Sequence, residues 1–281
     1  MAEIARADAP LDLTLSEAEL EQHRHHITSF ISNQYEVSGA ETAVICLSGG
    51  IDSTLTAHLM VEALGTGAVY GLVLPSSVNT DRNMSDAERV ASELLDIEYD
   101  VIEIDPLVES VADADPNVDT DVTSDDDLEV AVGNLRARIR AVLAYFVANR
   151  NQGFVVGTGN RSEAAVGYFT KYGDGAVDCH PIGNLYKQQV RQLATHVGVP
   201  DDLAAKTASA ELWDAQTDEG ELGIGYDTLD SILALHIDGP LSVSATAKTI
   251  AVDEAIVENV RTLYESSEHK RNAPKAPEPL V

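Results

Sequence analysis

The chain has 281 residues, 44% of them hydrophobic, with a formal net charge of −29 and a pI of about 4.3. That apolar content suffices for one large α/β domain, with or without a short appendage, and excludes wholesale disorder. The charge excludes nucleic acid and anionic membrane as bulk partners and marks a halophile-type surface, an acidic protein of ordinary salt being the alternative.

The first residues, Met1 to Leu11, hold no apolar leader core. No later run approaches the ~18 apolar residues of a membrane span. A cytoplasmic protein is therefore expected. Cys46 and Cys179 lie far apart, which argues against a disulfide framework and against a zinc or thiol-redox site.

Ser16 with Glu19 reads as a capping box opening a helix with Leu20, Ile27, Phe30 and Ile31 as its apolar stripe. His23, His25 and His26 on this helix read as a solvated face, because no carboxylate or cysteine completes a metal-ligand set. Then the chain alternates. Strands are expected at Thr42–Leu47, Ala68–Leu74, Glu98–Ile104 and Phe154–Gly157. Helices are expected at Ser53–Leu64, Met84–Leu95 and Leu128–Asn149, the last with Leu135, Ile139, Val142 and Phe146 on one face. Asp113–Asp127 reads as a solvated loop, Lys206–Tyr226 as a mobile one, and the Pro-containing tail after Tyr264 as a surface segment. This order predicts an α/β fold, a doubly wound parallel sheet with helices on both faces, whose ligands sit at the carboxyl ends of the strands.

The first strand runs straight into Ser48, Gly49, Gly50, Ile51, Asp52 and Ser53, and a helix follows at once. Glycines let backbone N–H groups close around an anion, and the helix N-terminus adds its positive dipole end. A Walker A loop would require a Gly-Lys-Ser/Thr that is missing here. Further on, Gly157–Ser162 imitates a dinucleotide fingerprint but lacks its third glycine. Six lysines occur in the chain, and Lys171, Lys187, Lys206 and Lys270 fall in Gly-rich or polar segments, as phosphate or carboxylate work would require.

The Ser48–Ser53 pattern resembles the pyrophosphate loop of the N-type ATP pyrophosphatases. With Leu74–Ser77, Asn134–Arg140, Gly157–Glu163, Gly167–Gly175, Gln216–Glu219, Glu221–Gly223 and Glu268–Arg271, the run from Ser48 to the C-terminus resembles the NAD synthetases. The resemblance implies the adenine nucleotide alpha hydrolase-like fold, one domain over residues 1–281 with terminal extensions at about 1–15 and 272–281, and a homodimer. It implies ATP-dependent amidation of nicotinic acid adenine dinucleotide (deamido-NAD) to NAD through an acyl adenylate. No glutaminase or nitrilase segment precedes the loop, so ammonia is the expected nitrogen donor.

By the same resemblance, Cys46, Leu47, Ser48, Gly49, Gly50, Ile51, Asp52, Ser53, Thr158, Lys187 and Ser209 match ATP contacts. Asp52 and Glu163 match magnesium ligands. Arg138, Lys171, Asp178, His269 and Lys270 match contacts to deamido-NAD. Arg138 also sits beside the apolar stripe of its helix, where a cation needs either an anionic ligand or a structural carboxylate. Asp174 is the candidate for binding ammonium, a turn residue before glycine being its other reading. His180 and Ala208 depart from the family's usual asparagine and proline. The loop alone also fits a GMP synthetase core, a tRNA-thiolating enzyme or a non-catalytic adenine-nucleotide sensor. The first two usually bring an amidotransferase domain or working cysteines, and the last would not need Asp52, Glu163 and Lys187 together.

Overall fold

A computed structural model describes residues 13–79, 81–114, 126–206, 209, 212–213 and 216–277. The chain opens with α1 (Glu17–Ser38), capped as expected by the reciprocal Ser16–Glu19 box and closed by Gly39 in the left-handed region. Four parallel strands follow in the described chain: β1 (Thr42–Cys46), β2 (Val69–Val73), β3 (Glu98–Val101) and β4 (Gly153–Val156). The sheet order is β3-β2-β1-β4. β1 is therefore central, pairing Ala43 with Val69 of β2 and with Phe154 of β4. After building outward from β1 to β3, the chain crosses back to place β4 on the other side. That reversal is a topological switch point, where a crevice opens at the carboxyl ends of β1 and β4.

The strands are buried on both faces, which is why they read as continuous apolar runs. Ala43 and Ile45 face one core with α1, α2 (Ile51–Leu64) and α7 (Lys187–His196). Val44, with Leu72 and Val155, faces a second core with α4 (Asp105–Ala112) and α5 (Asp126–Arg150). Full burial of a side chain such as Leu55 or Leu59 contributes roughly 1.5–3 kcal/mol. A third core joins α6 (Arg161–Val166), α10 (Tyr226–Ile232), α11 (Val243–Ile250) and α12 (Glu254–Ser266) through Tyr226, Leu229, Ala247 and Val257.

The expected elements all exist, with shifted ends. The second helix starts at Ile51, inside the glycine loop. Helix α3 (Asp81–Arg89) passes into a π turn at Val90–Leu94. β3 stops at Val101, although Ile102 and Ile104 still donate to the Val73 and Pro75 carbonyls. Elements without a sequence expectation are α4, α6, α7, α8 (Asp201–Ala204), α9 (Asp218–Leu222), α10–α12 and α13 (Glu268–Arg271). Helix α9 lies within the segment expected to be loop. Most of Asp113–Asp127, together with Ala208 and Pro279, lies outside the described residues.

The stripe on α5 needs a correction. The helix buries Ala137, Ala144, Val147 and Ala148, and of the expected stripe only Leu135 and Ile139, both partly buried, pack against the core. Val142 and Phe146 are each 63% exposed. Small residues let the helix approach the sheet closely, and the C-terminal part of the stripe, Val142 and Phe146, is left outward. No described helix is long and apolar enough to cross a membrane.

Candidate active site

At the end of β1 the chain turns through Ser48, Gly49 and Gly50 into α2. Ser53 Oγ donates to Gly50 O at 3.1 Å, Ser48 N–H donates to Ser53 Oγ at 3.3 Å, and Gly50 N–H donates to Ser48 Oγ at 3.2 Å. Gly49 has φ +73°, and a Cβ there would meet Asn83 O of α3 at 2.3 Å, so only glycine lets α3 pack this close. Gly50 is the N-cap of α2 and offers no side-chain cap. The first-turn N–H groups are thus left for an anion, at the positive end of the helix dipole.

The loop opens onto a cavity of about 1030 Å³ at the switch point. Facing it from β4 is the N-terminus of α6, where Asn160 and Glu163 form a capping box. Asn160 also donates to Asp52 Oδ1 at 2.8 Å, joining α6 to the loop. Between these carboxylates lies Lys187, the first residue of α7 and only 2% exposed. Its Nζ is 2.6 Å from Asp52 Oδ2 and 3.0 Å from Glu163 Oε1. The backbone that carries it is fixed by buried Ser162 and Asp230, which accept from Lys187 N–H at 3.0 Å and Gln188 N–H at 2.9 Å. The Tyr226 ring lies 5.1 Å from the ammonium.

A third carboxylate, Asp218, is 3% exposed and lines the same cavity. Tyr226 OH donates to its Oδ2 at 2.8 Å, while its buried Oδ1 has no hydrogen-bond partner among the described residues. Burial is the main influence on Glu163 and raises its carboxyl to about 7, with Lys187 opposing and Asp52 adding repulsion. Burial also works against the Lys187 ammonium, but Asp52 and Glu163 outweigh it and hold the lysine above its ordinary value. Three carboxylates, Asp52, Glu163 and Asp218, thus share the cavity with the Lys187 ammonium. No described set of three His, Cys, Asp or Glu side chains is arranged to hold a metal by itself. Magnesium commonly takes one or two carboxylates and completes its shell with water and phosphate oxygens. The all-oxygen, net-negative surroundings of Asp52 and Glu163 fit that ion.

Of the residues expected at the nucleotide, Cys46, Leu47, Ser48, Gly50, Ile51, Asp52, Ser53, Thr158, Lys187 and Ser209 line this cavity, and Gly49 lies just behind it. Ser209 Oγ is turned into its own segment, donating to Gln216 O at 2.6 Å. Asp174 and Lys270 line the cavity as well. Asp174 opens onto the cavity space but is surrounded by protein, and loss of bulk water raises its carboxyl. Its Oδ1 accepts from Thr170 N–H at 2.8 Å, so the turn role is real. Lys270 Nζ donates to Gly167 O and Phe169 O at 2.7 and 3.0 Å.

Arg138, Lys171 and His269 gather outside that lining. Arg138 Nη2 donates to Lys171 O at 3.3 Å, and Lys171 Nζ lies 3.4 Å from His269 Nδ1. Among the described residues, none of the three has a carboxylate ion pair. Asp178 stands apart from that cluster and accepts from Val155 N–H at 2.7 Å and Tyr145 OH at 3.0 Å. His180 packs over the Gly157–Gly159 backbone, and burial lowers its pKa.

Sequence reasoning assigned no role to Asn160, Asp218, Tyr226 or Arg140. Arg140 reaches from α5 to Leu74 O at 3.0 Å and Asn79 Oδ1 at 3.0 Å, holding the loop after β2 against the cavity. The signal available was a polar residue inside a matched segment, as for Asp218 in Gln216–Glu219.

The NAD synthase family model matches residues 23–274. The chain is 58% identical over 269 residues to the NH(3)-dependent NAD(+) synthetase of Halobacterium salinarum, covering 96% of this chain and 97% of that one. It is 45% identical over 256 residues to the NH(3)-dependent NAD(+) synthetase of Hyperthermus butylicus, covering 91% and 90%. Among solved structures it resembles the NMN synthetase from Francisella tularensis, with TM-score 0.77 and 33% identity over 94% of this chain and 99% of that one. It also resembles the NH3-dependent NAD synthetase from Campylobacter jejuni, with TM-score 0.75 and 26% identity over 94% and 100%.

Proposed function

The chain belongs to the NAD synthase family, and on that footing we propose that it converts deamido-NAD to NAD with ATP and ammonia, releasing AMP and pyrophosphate. The observation that carries the reading is the meeting of Asp52, Glu163 and Lys187 beside the glycine loop in one cavity.

A bare carboxylate does not react with ammonia, because its leaving group would be oxide. In the first step an oxygen of the nicotinate carboxylate attacks the α-phosphorus of ATP, the bond to the β-phosphate oxygen breaks, and pyrophosphate leaves. The loop N–H groups, Ser48, Ser53, Thr158, Lys187 and Ser209 hold the triphosphate and balance charge on the departing pyrophosphate. Lys187 turns from its carboxylates toward the phosphates, a role supported by its place in the cavity lining. Asp52 and Glu163 would hold magnesium, which when bound supplies charge neutralisation for the triphosphate. In the second step ammonia attacks the acyl carbon and the bond to AMP breaks. Ammonia is mostly ammonium at neutral pH, and Asp174 binds it and accepts a proton, a role supported by its raised pKa and its position in the cavity lining. Arg138, Lys171, His269, Lys270 and Asp178 bind the dinucleotide. The first three form a basic cluster, without a carboxylate ion pair among the described residues, that fits its phosphates.

Two copies associate through the outward part of the α5 stripe, supported by the exposed Val142 and Phe146 on the helix that carries Arg138. The chain works in the cytoplasm, where its two cysteines stay reduced. The acidic surface serves solution in concentrated salt, a reading supported by the Halobacterium relative.

A product assay tests the reaction. NAD should form from deamido-NAD, ATP and ammonium, with pyrophosphate exchange into ATP dependent on deamido-NAD. The likeness to an NMN synthetase makes nicotinate mononucleotide the competing acceptor. A higher kcat/KM for the mononucleotide would overturn the dinucleotide assignment.

A further inference from the structure

Lys206 makes two short contacts at the back of the glycine loop. Its Nζ donates to Gly49 O at 3.0 Å and lies 2.6 Å from Asp86 Oδ2 of α3. The pair is largely enclosed, with side chains 14% and 10% exposed. The contact falls on a peptide that can turn over. Gly49 and Gly50 flank it, and two glycines leave rotation of the intervening peptide plane sterically open. Because the peptide is planar and trans, its carbonyl and its N–H point in opposite directions. At present the Gly49 carbonyl faces Lys206, and Gly50 N–H points to Ser48 Oγ at 3.2 Å. Ser48 and Gly50 line the cavity, whereas Gly49 does not. Turned over, the same peptide would present a carbonyl oxygen where phosphate oxygens are to lie, replacing attraction by repulsion.

A tie between α3 and the segment after α8 does not by itself require this reach. Arg89 of α3 already pairs with Asp202 of α8 at 2.8 Å. What Lys206 adds is the bond to the loop carbonyl, and Asp86 holds the ammonium there. We propose that Lys206, held by Asp86, is a positioning residue of the ATP site that locks the Gly49–Gly50 peptide with its amide toward the triphosphate. The proposal rests on the reading of the glycine loop as the triphosphate site.

The test uses the full chain with Lys206→Met, Lys206→Arg, Asp86→Asn and the Met/Asn double variant. ATP binding is measured by calorimetry, together with kcat and the separate KM values for ATP and deamido-NAD. Lys206→Met should weaken ATP binding by about tenfold, the scale of one charge-assisted hydrogen bond. KM for deamido-NAD should stay unchanged, and Lys206→Arg should restore most of the loss. The double variant should be no worse than the poorer single one, because both remove one device. Asp86→Asn keeps the side-chain shape and carries the same expectation if Lys206→Met does not fold. Unchanged ATP binding in a folded Lys206→Met or Asp86→Asn protein would overturn the lock. So would an equal rise in both KM values with a lowered melting temperature, which would make the pair a structural tie only. Failure of the wild type to form NAD would instead count against the reaction, since ATP binding can be read without it.

Discussion

The Lys187 ammonium lies 2.6 Å from the Asp52 carboxylate, although 135 positions separate the two residues. Each is at the first turn of a helix, α7 and α2, and the parallel sheet brings those two N-termini to one crevice. Breaking a buried ion pair by removing one partner generally costs about 3–5 kcal/mol. Here Glu163 remains beside the lysine when Asp52 is lost, and Asp52 remains when Glu163 is lost.

That redundancy separates chemistry from folding. Asp52→Ala and Glu163→Ala should each abolish ligation while the protein stays folded, and Asp52→Asn or Glu163→Gln should lower kcat at least about a hundredfold. Steady-state rates at saturating magnesium, with circular dichroism as the folding control, are the measurement. Near-normal turnover in either alanine variant refutes the carboxylate assignment.

Val142 and Phe146 should lie between two copies of the chain. Light scattering at working salt should give about twice the 30.0 kDa chain mass. Replacing both residues by glutamate should leave single chains, with weaker binding of deamido-NAD because Arg138 sits on the same helix. A wild-type monomer with full activity sinks the interface.

Acid should weaken the packing of α1 on α2 through His58. Its Nδ1 is buried without a hydrogen-bond partner among the described residues, and burial lowers its pKa below 6.5, with Glu62 raising it and Arg24 lowering it. His23 is shifted down too, by burial and by His26, with Glu19 opposing. A lowered folded-state pKa means that the unfolded chain takes up protons first. Stability is therefore intact above 6.5 and declines as pH falls from there toward the folded-state values. Urea midpoints from neutral to mildly acid pH should fall for the wild type and fall less steeply for His58→Leu. Parallel curves rule His58 out.

Ammonium should serve as nitrogen donor and glutamine should not. A cysteine that hydrolyses glutamine acts as a thiolate. Burial pushes the Cys46 thiol up to about 11 and the Cys179 thiol up to about 12, so neither is ionised at neutral pH. Salt should matter as much as the donor. With a net charge of −29, self-repulsion opposes the folded state until ions screen it, over about 3 Å at ~1 M. NAD formation and melting temperature across a salt series test both points. Robust glutamine use by the pure chain, or full stability without salt, contradicts them.

What could be read from the sequence is what is encoded over short distances. The Ser16–Glu19 capping box, the apolar strands and the glycine loop between β1 and α2 are local, because strand burial and helix starts depend on neighbours a few residues away. Resemblance to the family then pointed to Glu163, Lys187 and Asp174 without any geometry. Local pattern failed where several surfaces compete for one stripe. On α5 Ala137, Ala144 and Ala148 took core positions and Val142 and Phe146 were left outside, since close approach to the sheet favours small side chains. Tertiary structure alone decided that Asn160 would bridge to Asp52, that Asp218 would keep an orphaned oxygen beside Lys187, and that Lys206 would grip the carbonyl of Gly49. Each of these joins segments that are distant in the chain. Their partners are set by the order of the strands and the packing of helices around them, which no periodicity within a single segment records.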